Sequence, residues 1–203
     1  GLTCFRDLLI ECTESLISKL HSRGVVKKNS LPSVVFCRNY PAPRTRMKLS
    51  ELLTPSHILP EIQAEDRWQA IDELLDHLIA QGNVSSEWKT EITESLHLRE
   101  NMVSTGVGGG VAIPHAFSDH IDDVMAVFGR SIGGIDFQSQ DASVVHFVVL
   151  FISPRKSYQK HLHALAAIAR MFTKTETREK MLGAQTAAEL FSLFRQKSVA
   201  IKG

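Results

Sequence analysis

The sequence predicts an α/β layered domain over residues 47–203, on three observations. Two apolar runs of strand length, residues 124–130 and 144–152, fall between stretches of helical periodicity. The second run is continuous enough to be a strand buried on both faces. Strands alternating with helices in this way pack as layers of helix on sheet.

The elements follow in order from "MKLSELLTPSHI", which opens the regular part of the chain. Residues Arg67–Ala80 read as a helix with Trp68, Ile71, Leu75 and Leu78 on one face and Gly82 as its stop. Residues 87–99 read as a second helix, with Ser85 and Ser86 as cap candidates. The two strand runs come next, and Gly133-Gly134 reads as the turn between them. Tyr158–Phe172 is a helix started by Ser157, with Leu162, Leu165, Ile168 and Phe172 facing inward. A final helix opens at Thr186, where Glu189 three residues on completes a capping-box signature.

Ahead of this domain, residues 1–46 read as an N-terminal extension. Leu2, Phe5, Leu9, Cys12, Leu16 and Leu20 recur at helical spacing up to Gly24. Asp7, Glu11 and Glu14 interrupt that stretch and exclude a standard signal peptide. Residues 25–46 are basic, and "NYPAPRTRM" carries two prolines, so they read as a linker. The expected organisation is therefore a helical extension over 1–46 and one domain over 47–203.

With 43% hydrophobic and 22% charged residues, the composition is that of a globular chain. No run of eighteen apolar residues exists, so no membrane insertion is expected. A formal net charge of +1 gives no reason to expect nucleic acid as a partner. That sum hides an asymmetry, because residues 1–47 hold eight basic residues against three acidic ones. Cys4, Cys12 and Cys37 all precede residue 40, and three cysteines without paired spacing argue against a disulfide framework or a zinc site. A reducing cytoplasm is the expected location. The larger part of the chain has no cysteine nucleophile to use.

The stretch "STGVGGGVAIPHA" poses the chemical question. It is not a P-loop, because Gly110 is followed by Val111-Ala112 rather than by Lys-Ser/Thr and a helix. It is not a dinucleotide fingerprint, because Val111 stands where glycine or alanine is needed. Pro114 pushes Ile113 extended. The segment therefore reads as a glycine loop, a short strand and then His115 exposed at the strand end; the alternative is a mobile hairpin with a surface histidine.

Two more residues bear on this choice. Trp88, Ile92, Ser95 and Arg99 fall on one helical stripe, and an arginine there needs either an anion or a way to solvent. His161 sits in the first turn of its helix, at the edge of the inward face, where free N–H groups favour an anion. His163 points nearly the opposite way, so "HLH" does not converge on a metal. No metal and no cofactor is expected. An acceptor histidine, an arginine, a helix-start histidine and a glycine-rich backbone suit a phosphoryl group carried on nitrogen. The acceptor imidazole must be neutral, with one nitrogen free and the other hydrogen-bonded. Arginine then offers a planar fork to the phosphate oxygens, and the glycines let backbone N–H groups or a partner's surface come close.

These residues carry a resemblance. "LRENMVSTGVGGGVAIPHA" followed by "SPRKSYQKHLHALAAIAR" resembles the enzyme IIA domain of the fructose–mannitol and nitrogen-regulatory class of the bacterial phosphoenolpyruvate:sugar phosphotransferase system. It covers about residues 47–195. It implies a mixed sheet of about five strands flanked by helices on both sides, phosphorylation of His115 by the phosphocarrier HPr, and supporting roles for Arg99 and His161. Two positions depart from the family pattern: Gly109 stands where asparagine is common, and Ala116 where glycine is. The extension over 1–46 has no counterpart in the family, and it reads as an over-extended gene start.

The resemblance implies a phosphotransferase with a phosphohistidine intermediate. Its nitrogen-regulatory form, expected here from the "STGVG" version of the motif and the absence of fused IIB or IIC domains, acts on partner proteins through its phosphorylation state. The alternatives are a relay that passes phosphate to a cysteine of a sugar-specific IIB domain, and a module that binds partners without carrying phosphate.

Overall fold

A computed structural model of the protein describes residues 49–139 and 141–196. The expected helix over residues 2–20, the linker over 25–46 and the boundary before Met47 lie outside the described residues. Six strands and five α-helices are present among the described residues. The strands are β1 (Ile58–Leu59), β2 (Gly106–Gly108), β3 (Val111–Ala112), β4 (His115–Phe117), β5 (Met125–Ile135) and β6 (Val145–Ser153). The helices are α1 (Arg67–Ala80), α2 (Lys89–Met102), α3 (Tyr158–Phe172), α4 (Thr175–Gly183) and α5 (Ala187–Gln196).

All six strands form one mixed sheet in the order β1-β5-β6-β3-β2, with β4 also pairing β6. β5 and β6 run antiparallel, with Val127 opposite Leu150 and Gly129 opposite Val148. β3 and β4 run parallel to β6 one after the other, Val111 opposite Phe147 and His115 opposite Phe151. The expectation of a mixed sheet with helices on both sides holds, with six strands where about five were expected.

The continuous apolar run of β6 has a direct cause: the strand is paired on both edges and covered on both faces. Phe147, Val149 and Phe151 face a core built with Leu165, Ile168 and Phe172 of α3, Met181 of α4 and Phe194 of α5. Val148, Leu150 and Ile152 face the other core, with Ile71, Leu74 and Leu78 of α1 and Ile92 and Leu96 of α2. Each such side chain contributes about 1.5–3 kcal/mol by leaving water, before chain entropy is counted.

Helix starts follow their caps. The Asp66 carboxylate accepts from the N–H groups of Trp68 and Gln69 and starts α1. Thr186 Oγ1 accepts from Glu189 N–H at the start of α5 as expected, while the Glu189 carboxylate reaches one residue further back than a capping box requires, to Gln185 N–H. Ser85 Oγ accepts from Glu87 N–H and caps a 3₁₀ turn, Ser86–Trp88. That turn delays α2 to Lys89, and the helix then runs past the expected end at Arg99 to Met102.

Two expectations are corrected. Gly133-Gly134 is not the turn between strands: β5 continues through it to Ile135, with an irregular register after Arg130 and a positive φ of 78° at Gly134. The chain reverses later, where Gln138 and Ala142 take positive φ and Ala142 N–H donates to Ser139 O. Leu162 is only partly buried, while Ala164 and Met171 join the inward face of α3. Helix α4 carried no clear sequence signal, because "TETREKMLG" buries only Thr177 and Met181.

Arg130 fastens α4 to the sheet. Its guanidinium is buried and donates to the carbonyls of Pro60 at 2.8 Å, Met181 at 2.9 Å and Leu182 at 3.1 Å, and also to that of Ala184. A cation set against the last carbonyls of a helix satisfies acceptors that the helix itself leaves open.

Candidate functional site

His115 opens β4 at a sheet edge. β4 pairs only with β6, so its outer side carries no further strand, and helices from both layers reach it there. Arg99 comes from α2 on one face and His161 from α3 on the other. Pro114 separates β3 from β4, and its carbonyl accepts from Phe151 N–H at 3.0 Å, holding the break flat against β6.

The three residues singled out in the sequence meet. Arg99 donates through Nε to His115 Nε2 at 3.3 Å and through Nη1 to Val103 O at 2.8 Å, closing the end of its own helix. The guanidinium leaves the stripe of Trp88, Ile92 and Ser95 toward the histidine instead of toward open solvent. The rings of His115 and His161 pack edge to face with centroids 5.2 Å apart. Phe151 stacks under His115 at 5.4 Å, and Phe117 stacks on His161 at 4.5 Å.

The tautomer of His115 follows from its partners. Nδ1 lies 2.8 Å from the carbonyl of Ile113, which can only accept, so Nδ1 carries the proton. Nε2 therefore holds the lone pair, as the Arg99 contact also requires. Burial, and then the Arg99 guanidinium, pull the His115 pKa from 6.5 down to about 4, against a smaller raising effect of the Ile113 bond. His161 is pulled down to about 3 by burial, then by His115 and Arg99. Both rings are neutral at physiological pH. A neutral imidazole with a fixed proton and a directed lone pair is a nitrogen nucleophile.

Burial corrects three expectations. His115 is not exposed at the strand end; it is 3% exposed. His161 is not at the edge of the inward face but fully buried at 0%, and His163 is partly buried rather than turned to solvent. The cause is shared, since the strand carrying His115 lies under the first turn of α3.

The glycine segment also differs from its expected role. Gly108, Gly109 and Gly110 all have positive φ, at 85°, 65° and 78°, and form the hairpin between β2 and β3. That hairpin lies near Phe147 at the start of β6, while His115 lies opposite Phe151 near its end. The N–H groups of Gly109 and Gly110 donate to Asp141 and Ser143, so they serve the fold and not a phosphate beside His115.

Sequence reading missed Glu100 and Ser153. The Glu100 carboxylate, 2% exposed, accepts from Thr105 N–H at 3.1 and 3.0 Å and sets where the chain leaves α2 for β2. Ser153, fully buried at the end of β6, places Oγ 3.1 Å from His161 Nδ1. A carboxylate beside the arginine and a serine ending an apolar run were the only signals available.

Around the site the charges are paired. Asp119, Asp122 and Asp123 meet Arg155, Lys156 and Lys160 at 3.3, 3.9 and 2.8 Å. Leu98 and Met102, on α2 beside Arg99, are 62% and 67% exposed. Among the described residues no group of three or more His, Cys, Asp or Glu converges as a metal-ligand set, and no helix is long and apolar enough to cross a membrane.

Residues 51–197 match the family described as phosphoenolpyruvate-dependent sugar phosphotransferase system, EIIA 2. The chain is 31% identical over 147 residues to a nitrogen regulatory protein of Bradyrhizobium diazoefficiens, covering 72% of this chain and 94% of that protein. It is 30% identical over 150 residues to the fructose-specific EIIABC component of Bacillus subtilis; this covers 74% of the chain but only 23% of that larger protein. The crystal structure of nitrogen regulatory protein IIA-Ntr from Neisseria meningitidis superposes with a TM-score of 0.66 at 25% identity, covering 72% of this chain and 98% of that one.

Proposed function

The chain belongs to the EIIA 2 family of the phosphoenolpyruvate-dependent sugar phosphotransferase system, and from that premise we propose that His115 accepts a phosphoryl group from a phosphohistidine carrier of the HPr type. The observation that carries this reading is the fixed tautomer of His115: Nδ1–H bound to Ile113 O, and Nε2 aimed at Arg99. In the transfer, the Nε2 lone pair forms a new N–P bond as the N–P bond of the donor breaks, and the bonding pair returns to the donor imidazole. The His115 Nδ1 proton stays in place throughout. Phosphoryl transfer passes through a loose transition state, so charge stabilisation by Arg99 and a hydrogen bond from His161 are the contributions the chain has to make. Leu98 and Met102 offer apolar surface beside Arg99 for a protein donor to cover.

Similarity to nitrogen regulatory proteins supports an output through partner binding that depends on the phosphorylation state, in the cytoplasm. The second reading is a relay to a IIB cysteine, supported by the similarity to a fructose-specific component. Incubation with phosphoenolpyruvate, enzyme I and HPr, followed by intact mass, tests the shared step. The expected product carries one phosphoryl group, labile in acid and stable in alkali, and is absent in His115→Ala. Label retained in that variant overturns the assignment. Adding a IIB domain then separates the two outputs, because only the relay loses its label to the IIB cysteine.

A further inference from the structure

Within this reading His161 has to present a hydrogen-bond donor to the phosphoryl group, and a neutral imidazole can do so from only one nitrogen. His161 has one bonded nitrogen and one orphan: Nδ1 lies 3.1 Å from Ser153 Oγ, and Nε2 is buried without a partner among the described residues. The Ser153–His161 bond has two possible directions. If Nδ1–H donated to the serine, the serine hydroxyl proton and the Nε2 lone pair would both be buried without partners. If the serine donates to Nδ1, every donor is satisfied except the Nε2–H. Each direction leaves one donor unpaired, but the first also strands the ring's single lone pair, whereas the second leaves over only hydroxyl lone pairs, which are cheap to leave unused. The second direction therefore wins, and it leaves a single unsatisfied N–H on the ring that packs against His115.

We propose that Ser153 is a positioning residue for phosphoryl transfer. Its hydroxyl donates to His161 Nδ1 and holds that ring in the tautomer with its proton on Nε2, ready to bond a phosphoryl oxygen on His115. The proposal rests on the phosphoryl-acceptor reading of His115. Its geometry is built into the sheet. Ser153 pairs with Phe117 in the β4–β6 ladder, and its carbonyl accepts from Ser118 N–H at 3.1 Å. The serine is therefore tied to the strand that carries the acceptor. The rings of His115 and His161 touch edge to face, with centroids 5.2 Å apart, so a phosphoryl oxygen carried on His115 Nε2 would lie within reach of the His161 ring edge.

The test is ¹⁵N NMR of histidine side chains in the unphosphorylated protein, with His161 assigned by its loss in His161→Gln. The expected spectrum shows His161 protonated at Nε2, with Nδ1 bare but displaced by an accepted hydrogen bond. In Ser153→Ala the Nδ1 resonance moves to the position of a free imidazole nitrogen, and phosphorylation from phospho-HPr slows by about tenfold. Ser153→Thr, which keeps the hydroxyl, retains both the resonance and the rate. Protonation of His161 at Nδ1 in the unsubstituted protein overturns the proposal whatever the variants do. So does an Nδ1 resonance that Ser153→Ala leaves unmoved, or an unchanged rate in that variant. If the unsubstituted protein takes no phosphate, the acceptor reading fails, and the tautomer assignment is still decided by the spectrum.

Discussion

Arg99 Nε–H points at His115 Nε2 across 3.3 Å. The residue that would stabilise transferred charge thus also marks which nitrogen attacks. The contact keeps a cation beside an uncharged ring and opposes protonation of that ring. Replacing Arg99 with lysine keeps the charge but removes the planar fork, so phosphorylation from phospho-HPr is expected to fall about ten- to a hundredfold. Arg99→Ala is expected to lose a further factor and to raise the His115 pKa. Rates within twofold of the unsubstituted protein in both variants would remove Arg99 from the site.

The buried histidines set a pH signature. An unfolded chain protonates them near 6.5, whereas the folded chain does so only near 4 for His115 and 3 for His161. Between those values the unfolded state binds more protons. Their contribution is therefore complete above pH 6.5 and lost as pH falls toward 4, by about 3 kcal/mol for His115 alone. Urea melts from pH 7 to pH 4 should show this slope, and it should flatten in His115→Gln. Proton NMR of the His115 ring should show no titration near 6.5.

His161 and His163 are expected to separate. His161→Ala should slow transfer by about ten- to a thousandfold. It should also lower stability by about 1–3 kcal/mol, since it empties a fully buried position between Phe117 and Phe151. His163→Ala should stay within about 1 kcal/mol and transfer nearly normally. Initial phosphorylation rates decide between them, and an equal loss at both positions would discard the distinction.

At the hairpin, Gly109 has φ 65° and open contact distances, the nearest atom to an added Cβ being Arg178 Cζ at 3.8 Å. Asparagine tolerates that conformation, so Gly109→Asn is expected to be neutral within about 0.5 kcal/mol. Gly108→Ala would place a Cβ 2.8 Å from Asp141 Oδ2 at φ 85°, and a loss of about 1–3 kcal/mol is expected. Thermal melts of the two variants check the contrast.

A chain beginning at Met47 is expected to melt cooperatively and to accept phosphate, because the two cores on either face of the sheet are assembled from residues 49–194. A calorimetric scan showing no cooperative transition would count against that boundary.

The sheet was legible because β6 is apolar throughout, and α1 and α3 because their stripes repeat at helical spacing. Helix α4 was hidden by its polarity, and the start of α2 by the 3₁₀ turn that precedes it. His115, Arg99 and His161 could be named from the motif, but their burial could not. Burial at a strand edge depends on which helices lie over it, and neither the spacing of glycines nor the rotation of one helix encodes that. The glycines were read as serving the histidine because they precede it closely in sequence. Parallel pairing along β6 puts them at opposite ends of that strand.

One strand, β6, lies in both cores and also supplies Phe151 beneath His115 and Ser153 beside His161. The strand side of the site is consequently anchored in both cores. The amides of residues 151–153 are expected to be among the slowest to exchange, opening only with the whole domain. On the proposed function, a phosphoryl donor would meet an acceptor anchored in the sheet, and the adjustment that docking requires would fall to the donor and to the outer edge of β4.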